Sequence, residues 1–393
     1  MKVLHLVKTT AGAAWALRQL RELVALGVEA HVALPSFTGR ASDYERLGIR
    51  VHVLDTDLKL RQPWRIPGQA LALRRLVQAL APDLVHSHFV GTTLLMRLAL
   101  RGLPVPRLFQ VPGPLHLEHA FFRRMELLTA DRHDYWMASC EWTRNAYLAA
   151  GIVPARVFLS YYGTDPVLPD KVSGQSLRAR LHCGDSTILI GMVAYMYAPR
   201  AWLGQQRGLK GHEDLIDALT LVRRRHPDLL GVFIGGAWNG ADAYEAAIRA
   251  YARERLGERA VFLGTRRDVF ALYPQLDMAV HPSHSENVGG AAESLLLGVP
   301  TIATDVGGFP DLVRPGQTGL LVRPQAPEQL AEAICHYIEH PELARRQARQ
   351  GRQLATHLFD VLRTAREVHE AYRRIIEVSA ALTYPAASPE GGV

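Results

Sequence analysis

Polar and apolar positions along this chain follow two rhythms that take turns. Short runs rich in β-branched and aromatic residues fall at 2–7, 30–34, 50–54, 84–86, 107–111, 135–138 and 157–159. Between them lie stretches whose apolar residues recur every three or four positions, as at 13–26, 68–80 and 121–128. Strands alternating with amphipathic helices build a parallel sheet covered on both faces. A turn-rich segment at 163–176 breaks the rhythm, which restarts with strands at 188–193, 230–234, 261–262, 278–280, 301–303 and 320–322. The pattern predicts an α/β chain of two Rossmann-like domains facing a central cleft. The first domain spans 1–165, a linker 166–186 and the second domain 187–360. A last amphipathic helix at 361–381 can return to the first domain, and the Pro- and Gly-rich tail 382–393 is expected to be disordered.

Composition narrows the setting. Apolar residues make up 48% and charged residues 21% of 393 positions, enough apolar material for two full cores. Residues 1–7 read as a first strand rather than a signal peptide. No run reaches the roughly 18 consecutive apolar residues that a membrane-crossing helix needs. Cys140, Cys183 and Cys335 are scattered, which excludes a disulfide framework and fits a cytoplasmic chain. The formal net charge of +7 belongs to the first 165 residues, the rest being neutral. A basic half favours anionic partners, including a peripheral contact with a phospholipid surface. No basic stripe interleaved with aromatics supports nucleic-acid binding.

The chemistry concentrates at 281–308, which reads HPSHSENVGGAAESLLLGVPTIATDVGG. A strand ends near His281, a loop carries Glu286, and Gly289 and Gly290 open a helix that runs to Leu297. Glycines let a ligand approach the backbone closely, and the free N–H groups of a helix start suit a diphosphate. Glu293, in the second turn, is placed to accept hydrogen bonds from a ribose diol.

This run resembles the signature of the retaining glycosyltransferase family 4, enzymes of the GT-B fold. There, two glutamates bracket a Gly-containing loop before a helix that ends in Gly-Val-Pro. The resemblance implies that Glu293 grips the donor ribose. It implies also that Glu286 and the amides of Asn287, Val288, Gly289 and Gly290 hold donor sugar and diphosphate. Glu286 and Glu293 stand seven positions apart where the family pattern has eight, so Ser285 is the other candidate for the first slot.

A second match is RGLKGHEDLI at 207–216, opening a helix that runs to about Arg225. The family places such a lysine on the donor phosphates, which gives Lys210 a catalytic role, and usually pairs it with an upstream arginine. Tyr195 stands near that arginine's expected position, leaving Arg207 or Arg200, of which Arg207 is favoured. Gly235 and Gly236 after a strand form a smaller match, and FLGTR at 262–266 is expected to border the nucleobase through Arg266. In the first domain, Gly12 follows the first strand at the family's usual glycine position near the transferred sugar and phosphate. His116 follows the fifth strand, where the family usually has a histidine close to the reacting centre; His119 is the competing choice. His86, His88 and Glu118 complete the expected acceptor contacts.

Some signals are set aside. Asp55-Thr-Asp57 spells a metal-binding motif of another glycosyltransferase fold, but it lies away from the donor segment. The His pairs 86/88, 116/119 and 281/284 have no third ligand at convincing spacing. No metal site and no cofactor are therefore expected, the UDP-sugar being a co-substrate. The family implies transfer with retention, in which Lys210, an arginine and the helix start assist departure of the diphosphate. Within the family, segment 195–216 together with 285–291 resembles enzymes that glycosylate kanamycin-type aminoglycoside antibiotics, and also some exopolysaccharide transferases. A basic first half suits a lipid-linked acceptor better than a polycationic one. A UDP-sugar 2-epimerase and a nucleotide-sugar-binding protein without turnover are the readings from other classes.

Overall fold

The computed structural model describes residues 1–60, 62–111, 113–166, 176–201 and 204–383, with side chains as far as 381. Of the tail read at 382–393, residues 384–393 lie outside the described residues, as does the middle of the linker, while 382 and 383 continue the last helix. The chain divides into two compact units, Met1–Asp165 with Leu358–Val393, and Pro166–His357.

The first unit is a seven-stranded sheet of β1 (Lys2–Leu6), β2 (Glu29–Leu34), β3 (Arg50–Val53), β4 (Leu84–Ser87), β5 (Arg107–Gln110), β6 (Asp134–Ala138) and β7 (Val157–Leu159). Its order is β3-β2-β1-β4-β5-β6-β7, every pair parallel. Each strand follows the sequence reading to within two residues. Because both faces are covered, β1, β2 and β4 to β6 are buried almost throughout. Helix α1 (Ala14–Ala25) buries Ala16, Leu20 and Leu23, spaced at four and three residues on one face. It packs on the long C-terminal helix, Val361–Thr383, whose Val368, Ala371, Tyr372 and Ile375 enter the same core. The last helix is thus built into the first unit. Gly163 fits beneath it because a Cβ there would sit 2.7 Å from the Val361 backbone.

Another feature of this unit escaped the sequence reading. Arg97 is buried and meets Glu126 at 2.8 Å and Asp134 at 3.0 Å, while Arg107 meets Asp134 at 3.1 Å. Removing one partner of such a buried network strands a charge and costs about 3–5 kcal/mol.

The second unit is a six-stranded parallel sheet of β8 (Ile188–Val193), β9 (Leu229–Ile234), β10 (Ala260–Gly264), β11 (Met278–His281), β12 (Thr301–Thr304) and β13 (Leu320–Val322). The order is β10-β9-β8-β11-β12-β13. Helices His212–Val222 and Pro327–Glu339 cover one face, burying Leu215, Ile216, Leu219, Leu330 and Ile334. The first of these ends at Val222, short of the expected Arg225. The stretch read as linker is not all linker: Leu177 is buried in a core of this unit, and Arg178 pairs with Asp277 at 2.8 Å. Among the described residues no helix is long and apolar enough to cross a membrane.

Candidate active site

The second unit encloses a cavity of about 460 Å³ at the C-terminal ends of its central strands. Ligands of open α/β sheets bind at such strand ends, because backbone groups and helix starts converge there. The wall brings together Lys210, Arg266, Glu286, Gly289, Gly290 and Glu293, six of the residues expected to meet the donor.

Three glycines shape the wall. A Cβ on Gly289 would stand 2.9 Å from the Glu286 carboxyl group, and one on Gly290 would stand 3.0 Å from the His281 ring and 3.3 Å from the Val193 carbonyl oxygen. Gly235 adopts a φ of 130°, and a Cβ there would meet the Ala194 carbonyl oxygen at 2.0 Å. The eight-residue helix Gly289–Leu296 starts without a side-chain cap, so side chains leave its first N–H groups free to meet an anion. Its base is anchored: His281 Nε2 meets Ser294 Oγ at 3.1 Å, and Ser294 Oγ meets Thr301 Oγ1 at 2.9 Å. Burial, helped by the nearby Lys210, pulls the His281 pKa down to about 3, so this imidazole is neutral.

Lys210 donates to Glu286 and lies 5.8 Å from the centre of the Tyr197 ring. Gly211 holds the next residue in place with a φ of 72°, since a Cβ would collide with the Pro282 carbonyl at 2.0 Å. The Glu286 carboxylate accepts also from the Asn287 N–H at 3.1 Å. Ser285 is buried with its Oγ unpartnered and is not part of the wall, so Glu286 is the acid presented to the cavity. Glu293 lines the same cavity, and burial pushes its carboxyl up to about 7.

Arg207 is placed elsewhere. Its guanidinium reaches Asp214 at 2.5 Å and Asp217 at 2.8 Å, two acids one helical turn apart, and it does not line the cavity. Arg200 is exposed and is not on the wall either. The other cations on the wall come from the loop after β10: Arg266, paired with Asp268 at 2.6 Å, and Arg267. Asn287 and Val288 belong to the loop but not to the wall; the Asn287 carbonyl accepts the Gly308 N–H at 2.8 Å. Sequence reading missed Tyr195, Tyr197, Ser283 and Arg267 as wall residues. The signal for Arg267 was its position next to Arg266.

The expected acceptor residues belong to the first unit. His116 is buried in the short helix Leu115–Glu118 after β5, with Nε2 3.2 Å from the Tyr147 hydroxyl, and burial pulls its pKa down to about 4. Glu118, two residues on, is exposed, as is Gly12, where a Cβ would find its nearest neighbour at 3.6 Å. His86 and His88 correct the expectation of acceptor contacts. Both have no exposed surface, because Tyr372 packs on His86 and Trp15 on His88. Asp55 and Asp57 are engaged locally, Asp55 with Lys59 at 2.7 Å and with the Asp57 N–H at 3.2 Å.

The family model for glycosyltransferase family 4 matches residues 12–168, and that for glycosyl transferases group 1 matches 202–354, which includes all of the cavity wall after Tyr197. Each half of the chain thus matches a glycosyltransferase family model. It is 32% identical over 174 residues to a glycogen synthase of Mycobacterium tuberculosis, covering 44% of this chain and 41% of that protein. It is 36% identical over 139 residues to a D-inositol 3-phosphate glycosyltransferase of Corynebacterium aurimucosum, covering 34% and 33% of the two chains. The matches to these curated relatives thus span well under half of their length. The crystal structure of Anabaena HepE in complex with UDP superposes with a TM-score of 0.77 at 22% identity, covering 95% of this chain and all of that one, which establishes the two-domain GT-B fold.

Proposed function

We propose that this protein is a retaining glycosyltransferase that moves a sugar from a UDP-sugar to a hydroxyl group, with no metal in the transfer step. One observation carries the reading: Lys210, Glu286, Glu293 and an uncapped helix start converge on one cavity of about 460 Å³. The diphosphate lies at the start of helix Gly289–Leu296 with Lys210 against it, and Glu293 accepts the ribose hydroxyls. When the bond from the anomeric carbon to the diphosphate oxygen breaks, negative charge grows on the leaving UDP. A fixed ammonium and oriented N–H groups stabilise that charge without reorganisation. The acceptor oxygen bonds to the anomeric carbon from the same face, and its proton passes to the departing phosphate oxygen. His116, drawn toward neutrality by burial and held by Tyr147, positions the acceptor.

For the acceptor, the 195–216 segment supports an aminoglycoside pseudodisaccharide of the kanamycin type. The basic first 165 residues favour a second reading, a lipid-linked or exopolysaccharide glycan held near an anionic surface in the cytoplasm. The test is incubation with a panel of UDP-sugars, paromamine-like acceptors and lipid-linked sugars, with and without EDTA, following UDP release and product mass. EDTA-resistant transfer to the aminoglycoside supports the first reading, and transfer only to the lipid acceptor the second. Sugar release or epimer formation without any acceptor would sink both in favour of an epimerase.

A further inference from the structure

Helix Ala120–Leu128 of the first unit is turned inside out. Its one buried residue is Glu126, whose carboxylate accepts from Trp136 Nε1 at 3.0 Å and meets the Arg97 guanidinium at 2.8 Å. The outer side carries the apolar residues: Phe121 is 61% exposed, Met125 43% and Leu128 71%. These three fall at i, i+4 and i+7, so they line one face of the helix. An amphipathic helix of a globular unit normally buries such a stripe. Here the ion pair of Glu126 with Arg97 holds the opposite face inward. Leu115, on the short helix just before it, is exposed too. Arg124, three residues after Phe121 and four before Leu128, stands in the same stripe, and Arg123 precedes it. Both arginines are exposed, and neither pairs with an acid among the described residues.

We infer that this face is a docking surface for an anionic phospholipid membrane. Exposed apolar side chains beside unpaired guanidinium groups match the two layers of such a surface, with phosphate headgroups outside and acyl chains beneath. The net charge of +7 on the first 165 residues adds long-range attraction of the same sign. With nine residues the helix is about 14 Å long, too short for the roughly 30 Å hydrocarbon core. It therefore lies flat in the interface, with Phe121, Met125 and Leu128 entering the acyl boundary and Arg123 and Arg124 among the headgroups. Because Glu126 is already held from beneath, the stripe faces outward before any lipid arrives. The contact is independent of the transfer reaction, since the donor cavity belongs to the other unit. Of the two acceptor readings above, it favours the lipid-linked one.

The test is co-sedimentation of the full-length protein with vesicles of phosphatidylcholine alone, or of phosphatidylcholine mixed in equal parts with phosphatidylglycerol. Wild type is expected to pellet with the anionic vesicles, to stay in solution with the neutral ones and to be released by high salt. Phe121→Ser with Leu128→Ser removes the apolar anchor, and Arg123→Gln with Arg124→Gln removes the charge. Each pair should lower the vesicle partition coefficient by about tenfold or more. Each should keep the wild-type melting temperature, because all four side chains are exposed. Wild type that stays in solution with both vesicles or binds both equally overturns the proposal, as does a serine variant that still pellets. A lipid-free wild-type dimer that the serine variant breaks into monomers also overturns it, by assigning the face to a second copy of the chain.

Discussion

The two units place a glycine near the end of a strand and the start of a helix, and they use it differently. In the second unit a Cβ on Gly289 would press on Glu286 and one on Gly290 on His281, and the space they keep open is lined by Lys210, Glu286 and Glu293. In the first unit Gly12 is exposed with room for a methyl group, and the strands behind it end in buried imidazoles. The same parallel-sheet frame thus yields an anion-ready cavity in one place and a packed, polar interior in the other. The difference comes from a few residues after the strands, which is why fold alone does not assign chemistry.

The largest expected break in this contrast is Lys210→Ala. Removing one preorganised charge from a developing anion costs about 100- to 1,000-fold in turnover, measured as UDP release at saturating donor. Next is Gly290→Ala, whose Cβ would press on the His281 ring and the Val193 carbonyl. It should raise KM for the donor by about tenfold, equivalent to 1.4 kcal/mol. Gly12→Ala is expected to stay within about twofold, the range of an unstrained surface change.

A fourth prediction concerns pH. Glu293 is pushed up to about 7 in the fold, above its value in the unfolded chain. The folded state therefore holds a proton that the unfolded chain has already lost, and stability present below pH 4 declines as pH rises through 7. Ligand-free protein should lose on the order of 2 kcal/mol between pH 5 and pH 8 from this group, and Glu293→Gln should flatten that part of the melting-temperature profile. A smaller stability effect belongs to Arg207→Gln. Its ion pairs with Asp214 and Asp217 are partly exposed, so about 0.5–1 kcal/mol of stability is at stake. Donor KM should stay within about twofold, whereas Arg267→Gln, on the cavity wall, should raise it.

Much of this organisation was legible in the sequence. Short runs rich in β-branched and aromatic residues located all thirteen strands of the described residues, because most of them are buried in a parallel sheet and have few polar residues to blur them. The donor segment was legible because its glycines and acids are adjacent in the chain. What escaped depends on long-range pairing. His86 and His88 look like strand-end contacts until β1 brings His5 against them and Tyr372 seals the face. Arg207 looked available for phosphate, although Asp214 and Asp217, one turn apart on the next helix, already marked its partners. Arg97 and its acids lie up to 37 residues apart, and only the folded sheet joins them.

The most direct test of the donor site is the equilibrium binding of UDP to wild type, Lys210→Ala and Glu293→Gln by titration calorimetry at pH 8. Stoichiometric binding to wild type, weakened about tenfold or more by either substitution, is the predicted result. Wild type that fails to bind UDP, or variants that bind it with unchanged affinity, would contradict the assignment of this cavity to the nucleotide.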